Sequence, residues 1–550
     1  MKLFANKTQR NAKLLRCAAL GMTLVFLGAV IFMTNPVQHI VDWQLSLSPG
    51  TLLYNLWLFP PLEVYIMVYM FNYTNVDDFI AGRATKLKVE QVGPYVYKEV
   101  LSNHNVTLNE ANNTISYTPR REYIFIRDRS VGDPHLDRIR APNIPYMGVS
   151  THAASLSMFA ALGISALTKR LNAQPMLEVS VHDYMWGYED HLVHLASKFV
   201  PSYIDFASFG IMEKLFREGN ESNVVNMHLP ERRDSNGVVL PNEPRGYSLH
   251  SVNYGRGFMR WDYNEATNGT LCNRIWGSHD ATLFPRDMNE EDEFFIYRRT
   301  FCRRLPLKFV RTLKFRGQDA FEYTMEPHIF DSELGNVNSS CFCKNNQCLK
   351  RGVGNVAPCY YNMPLAITYP HFMHTDPSLL EQFDGLKPDE SLHTSTFMLQ
   401  PQLGVPLHTH MRLQANQVVG KVKFNRLMEP FENMVLPLLW VDLTIDNLPV
   451  ILQLLVHGIK YAFPLLQGIL ALGLILAGLY QLTAAFMLCF WSPPGRVHSK
   501  IEHAERAASI INGLTIGVSF HKATPTTAAS TKSTAECVQE AQKLLSRSEV

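Results

Sequence analysis

The sequence predicts an α+β membrane protein, in which two transmembrane helices flank a large, mainly β ectodomain with a helical cluster inserted in it. Three observations carry this reading. Two long uncharged apolar runs lie near the ends of the 550 residues. All but one of the N-glycosylation sequons fall between those runs. The interval reads mostly as strands, with one alanine- and leucine-rich exception.

Residues 1–13 read as a cytoplasmic tail, because Lys2, Lys7, Arg10 and Lys13 stand there without an acid and cytoplasmic flanks carry such an excess of cations. Residues 14–34 form the first expected span. The stretch from Cys17 to Met33 has no charge, and Arg16 snorkels toward the interface, so the segment reaches the roughly 20 residues that a bilayer needs. Thr34-Asn35-Pro36 offers no small-x-small cleavage site, which favours an uncleaved anchor over a signal peptide. The second expected span is 461–491, again uncharged. Two spans place both tails, 1–13 and 492–550, on one side. Residues 35–460 then lie outside the cell or in an organelle lumen.

The ectodomain carries independent marks of that compartment. Asn72, Asn105, Asn112, Asn220, Asn268 and Asn338 each open a sequon. Six of the nine cysteines, Cys272, Cys302, Cys341, Cys343, Cys348 and Cys359, lie there too. An even number in an oxidising compartment reads as three disulfides. The spacing C-x-C-x4-C-x10-C lacks the paired C-x2-4-C knuckles of zinc sites, so no metal is expected. Many pairings are open to six cysteines, and the residues alone choose none. Cys17 and Cys489 sit at or near the cytoplasmic ends of the spans, where palmitoylation and simple helix packing are both readings of a small apolar thiol.

After the first span, Val37, Ile40, Val41 and Leu45 share one face of a short amphipathic helix. Glu63–Phe71 is apolar on both alternating faces and reads as a strand covered on both sides. EYIFIRD, EFFIYRR and AFEYTMEP read as further strands. Gly93-Pro94 inside VEQVGPYVYKE predicts an edge or a bulge, since proline cannot donate to a ladder. Ser150–Leu171 reads as one helix, and EDHLVHLASKFV and FGIMEKLF as two more. The tail from Ser492 is polar and rich in Thr, Ser and Ala, a composition of flexible chain.

Several motifs in order now resemble one family, the class B scavenger receptors. FNYTN (71–75) is followed by VGPYVYKE (92–99), MWGYED (185–190), the Cys341/Cys343 pair with Cys348 and Cys359, TYPHF (368–372), DGLKPDESLH (384–393), QPQLGVPL, RLQAN and LPLLWVD. The resemblance implies an antiparallel β-barrel core, an apical helical bundle at about 147–218, and an internal lipid tunnel leading to the bilayer. It also implies the pairs Cys272–Cys341, Cys302–Cys359 and Cys343–Cys348. It points to Lys169 and Arg170, in LTKRLNAQPML, as cations beside a lipid entrance. Ordinary solvated residues at a helix C-terminus are the plainer reading of the same two.

Catalysis is not expected. The chain has no G-x-S-x-G elbow, no H-E-x-x-H and no P-loop, and no cofactor is called for. His408 and His410 share a strand face without a third ligand. A net charge of +2 gives no field for nucleic acid. An ion channel needs a polar or small-residue face on its pore helix, and Gly468, Gly473 and Gly478 recur every five residues without sharing one. The expected partners are lipids (fatty acid, sterol or phospholipid) and lipid carriers such as lipoproteins. A sorting receptor that binds a protein ligand through the apical helices is the alternative, and a homo-oligomer is compatible with either. Glu540, Leu544 and Leu545 form an acidic dileucine pattern for an endosomal adaptor. The expected location is the plasma membrane and the endosomal or lysosomal membrane.

Overall fold

A computed structural model describes residues 2–199, 201, 204–216, 223–230, 245–267, 269–270, 272–336, 339–344, 347–446 and 448–490. The described residues divide into two compact units, 2–30 with 470–490, and those between 31 and 469.

In the first unit, parts of the helices Lys2–Thr34 and Phe463–Phe490 pack together. Each belongs to a helical run long and apolar enough to cross a bilayer, Asn11–Thr34 and Leu452–Phe490. Small residues set the contact. A Cβ on Gly478 would meet the Gly21 carbonyl at 2.7 Å, and one on Gly28 would meet the Ala471 carbonyl at 2.9 Å. Close approach of backbones through small residues is the usual means of holding apolar helices together in lipid. The second run starts earlier than the expected 461. Val450–His457 leads through a π-turn, Gly458–Ala462, into Phe463–Phe490. Lys460 had marked the boundary in the sequence, but it pairs with Asp319, so its charge does not interrupt the helix.

The second unit is built on one large sheet. Its main strands are Val64–Tyr73 (β1), Leu87–Asn109 (β2), Thr114–Phe125 (β3), Val225–His228 (β4), Leu249–Val252 (β5), Phe294–Arg298 (β6), Arg303–Phe315 (β7), Gln318–Thr324 (β8), Thr396–Gln400 (β9), Val405–Val418 (β10) and Val435–Ile445 (β11). They are ordered β6-β7-β8-β9-β10-β11-β1-β2-β3-β4-β5, and every step of that path is antiparallel. Except at the β5–β6 step, each strand thus lies beside its sequence neighbours, and β11 returns to β1. β11 is buried at all its positions, which explains its continuous apolar run, LPLLWV.

The path has two ends, β5 and β6, so the strand ladder is not the closed barrel that the resemblance implied. The cause is local. The irregular segment Gly277–His279 lies between the ends, with Gly277 at φ 79°. It makes two backbone bonds to each side: Leu249 N–H to Ser278 O (2.6 Å) and Gly277 N–H to Leu249 O (2.9 Å) on one, and His279 N–H to Phe295 O (2.7 Å) and Tyr297 N–H to His279 O (2.8 Å) on the other.

Gly93-Pro94 makes a bulge but not an edge. β2 is central, between β1 and β3, and the register to β1 slips between Val68 and Met70 opposite this dipeptide. Gly93 has φ 145°, and a Cβ there would lie 2.7 Å from the Val68 carbonyl oxygen. The slip leaves proline's missing N–H outside the ladder.

The helical cluster is inserted between β3 and β4. The expected helix 150–171 is two helices, Ile144–Leu156 and Met158–Arg170. Ser157 separates them in an extended conformation, and its hydroxyl accepts the Ala160 N–H, an N-cap that starts the second helix. Helices Val181–Trp186, His191–Phe199 and Ile211–Phe216 complete the insert. The short helix after the first span is Pro36–Gln44. Val41 and Leu45 are buried, whereas Ile40, expected on the same face, is exposed.

Candidate functional site

Two cavities open inside the second unit. The first, about 740 Å³, is walled by β3 (Tyr117, Arg121, Tyr123), β4 and β5 (Val225, Leu249), and the insert (Phe206, Glu213–Phe216). The second, about 700 Å³, is walled mainly by apolar side chains: Val64, Leu101, Phe284, Phe397, Leu399, Met411, Leu443 and Ile445. It also reaches Pro60–Leu62, Leu448–Val450 and Gln453. Gln453 stands on the helical run that continues to Phe490. Both volumes fall in the range of about 300–1,000 Å³ typical of small-ligand sites.

Arg121, Asp280 and Arg298 line both cavities. Between them Glu99, which lines the second, is buried. Arg298 Nη2 lies 2.7 Å and 3.1 Å from its two oxygens, and Arg121 Nε lies 3.2 Å from Oε1. Asp280 is held separately. It accepts the Tyr117 hydroxyl at 2.8 Å, the Thr282 N–H at 2.9 Å and the Thr282 hydroxyl at 2.6 Å. Burial first, and then the Asp280 charge, push Tyr117 well above its usual value, so its proton stays in place to make that bond. The register explains the meeting: Glu99 pairs with Tyr123 and Leu101 with Arg121, which puts Glu99 and Arg121 diagonally on one face of β2 and β3.

The residues singled out in the sequence are scattered. Lys169 and Arg170 end the helix Met158–Arg170, both exposed, and line neither cavity. Cys272–Cys341, Cys302–Cys359 and Cys343–Cys348 are disulfides. Cys359 lines the first cavity. Asn105 and Asn112 are exposed on β2 and in the turn that follows it. Asn72 is half-buried, and its Oδ1 accepts the Arg140 N–H at 2.8 Å. Cys17 is half-buried and Cys489 exposed. Asn220, Asn268, Asn338, Glu540, Leu544 and Leu545 lie outside the described residues. His408 and His410 turn to Asp446 O and Asp442. Among the described residues no group of three or more His, Cys, Asp or Glu side chains is placed to hold a metal.

Glu99, Arg121, Arg298 and Asp280 were missed. A signal existed for one of them. Glu99 is in phase with Tyr95 and Tyr97, both buried, so an acid stands on the inward face of an otherwise aromatic stretch of strand. Arg298 is 199 residues away in sequence from Glu99, and no local pattern joins them.

The profile of the CD36 family matches residues 19–489. Lysosome membrane protein 2 of Mus musculus is 28% identical over 428 residues, which is 77% of this chain and 84% of that protein. Scavenger receptor class B member 1 of Sus scrofa is 29% identical over 424 residues, covering 76% of this chain and 78% of the relative. The human lysosome membrane protein 2 is 27% identical over 431 residues. With a match that takes in both apolar helical runs and the whole sheet between them, this chain belongs to the CD36 family, as a membrane protein of the class B scavenger-receptor kind.

Proposed function

We propose that the chain binds lipids, or the carriers that bring them, and passes lipid through its ectodomain to the bilayer without catalysis. One observation carries the reading. The first cavity begins at the helical insert, the second reaches the base of an apolar helical run, and three residues line both. Taking an acyl chain out of water gains about 0.8 kcal/mol per CH2, so a continuous apolar route removes the barrier that water imposes and needs no energy source. The bonds from Gly277–His279 to both ends of the sheet support a barrel around this route. The insert would then be an apical bundle over its outer end. Mass spectrometry of lipids that co-purify with the full chain is the test. The reading expects stoichiometric lipid, and a chain purified from membranes with both cavities empty of lipid refutes it.

The outer face of the insert fits the arrival of such a ligand. Leu156, Met158, Phe159 and Leu162 are exposed there, and an apolar patch of this kind marks a docking surface. Lys169 and Arg170, at the end of the same helix, would steer anionic headgroups toward it. Charge reversal of both to Glu lowers lipid uptake on this reading, and unchanged uptake at normal surface abundance assigns them to solvent. The same patch also suits a protein ligand, as the sorting-receptor alternative requires. Glycans on the six ectodomain sequons, acyl groups on Cys17 and Cys489, and adaptor binding at Glu540, Leu544 and Leu545 complete the reading of a receptor that cycles between the surface and endosomes. Leu544→Ala with Leu545→Ala raises the surface fraction if the dileucine is a signal; surface labelling that does not change removes it.

A further inference from the structure

The residues that line both cavities, Arg121, Asp280 and Arg298, are charged, although a lipid route gains by being apolar. We infer that this junction is a carboxylate-exchange gate, in which Arg121 and Arg298 release Glu99 to take the carboxylate of a passing lipid. The inference rests on the lipid route proposed above.

Four features support it. The two arginines line both cavities, whereas Glu99 lines only the second, so a ligand advancing from the first cavity meets guanidinium before it meets the acid. The side chains of Arg121 and Arg298 are 15% and 14% exposed, and that of Glu99 is 3% exposed. In so dry a place, charge-assisted bonds given up without replacement are costly. A lipid carboxylate offers the arginines the same two oxygens as Glu99, while the displaced Glu99 is left facing the second cavity without them, a cost that keeps the exchange brief. An alcohol or ester of equal chain length offers the arginines no carboxylate.

Asp280 stays out of the exchange, because Tyr117 and Thr282 occupy its oxygens. Among the described residues that line both cavities or pair across them, two arginines face two acids at rest. With a lipid carboxylate in place the junction holds one excess negative charge, so the ligand is held long enough to be selected and not long enough to stay. The aliphatic stems of the arginines offer apolar walls to the chain that follows.

The test is a competition. Full-length protein in lipid nanodiscs is loaded with equimolar palmitic acid and hexadecan-1-ol, and the bound ratio of acid to alcohol is read by mass spectrometry. The same measurement is made on Glu99→Gln and on the charge-balanced pair Glu99→Gln with Arg298→Gln. Wild type should favour the acid. Glu99→Gln keeps the shape of the side chain and removes the carboxylate that competes with the ligand, so the ratio should rise about tenfold, the worth of one charge-assisted bond. In the double variant, which keeps only Arg121 of the two arginines, it should fall back toward the wild-type value. Reading a ratio within each sample removes unfolded protein from the comparison. A ratio that is the same in all three proteins, with both lipids bound, overturns the gate and leaves the lipid route standing. If wild type binds neither lipid, the route itself fails and the gate with it.

Discussion

At the residue scale, burial decides what each polar group can do. His371, from the TYPHF motif, sits in the core with Nε2 2.7 Å from Gln91 Oε1 and Nδ1 accepting the Lys387 N–H. Trp440 Nε1–H donates to the same Gln91 oxygen. Both ring nitrogens are therefore used by the neutral form. Burial first, and then the neighbouring His393, push its pKa down from 6.5 to about 4. A lowered folded-state value means the neutral form is favoured by folding. The stability it contributes is complete above about pH 6.5 and is lost as pH falls through about 4. By pH 5 the cost is about 2 kcal/mol. The half-buried His228 and the buried His279 are lowered to about 4 as well. We predict a fall in the denaturation midpoint between pH 7.5 and pH 5, and a shallower fall in His371→Gln. An identical pH profile in the variant contradicts the assignment. The bonds to Gln91 and Lys387 give His371 a structural role. The partner, Gln91, carried no signal, because β2 and the TYPHF turn are 280 residues apart.

At the element scale, what was legible was what repeats locally. The apolar runs, the strand alternation and the bulge at Gly93-Pro94 are periodicities or single-residue constraints, and each could be read before the fold. The break at Ser157 was not, because an N-cap inside an alanine-rich run looks like any other helical serine until the extended backbone shows it. The disulfides differ in the chain they close. Cys302–Cys359 spans 57 residues and Cys343–Cys348 only 5. Loop-closure entropy then assigns about 4 kcal/mol to the first and about 2 kcal/mol to the second. Replacing each pair by serines should lower the denaturant midpoint in that order, and the reverse order contradicts the entropic account. Cys302 is buried, with its partner on the first cavity's wall, so losing that pair should also reduce bound lipid. In the first unit, Gly478→Leu should force the helices apart, since even a Cβ meets the Gly21 carbonyl and Val25 within 2.8 Å. Spin labels on the exposed Leu15 and Phe486 should report a longer separation in Gly478→Leu than in the native background. An unchanged separation would show that the glycine contact does not hold the pair.

At the scale of the whole molecule, composition and motif order were enough to expect a family of two-span proteins with a β core, and the sheet path and the family match bear that out at the level of a large antiparallel sheet between apolar ends. The cavities were beyond reach of the sequence. Their walls come from β1–β6, β9, β10 and β11 and from the insert, and which residues face inward depends on register across strands that are hundreds of residues apart. The lipid route is the central claim, and photo-labelling addresses it most directly. A C16 fatty acid bearing a diazirine on its chain is bound to the full protein in membranes, irradiated, and mapped by peptide mass spectrometry. The account predicts adducts on cavity walls, in the peptides carrying Tyr117–Tyr123, Arg298–Thr300, Pro406–Met411 and Leu443–Val450, competed away by unlabelled fatty acid. Labelling confined to the exposed face of the helical insert and to the apolar helices, with the walls of both cavities unmarked, would contradict it.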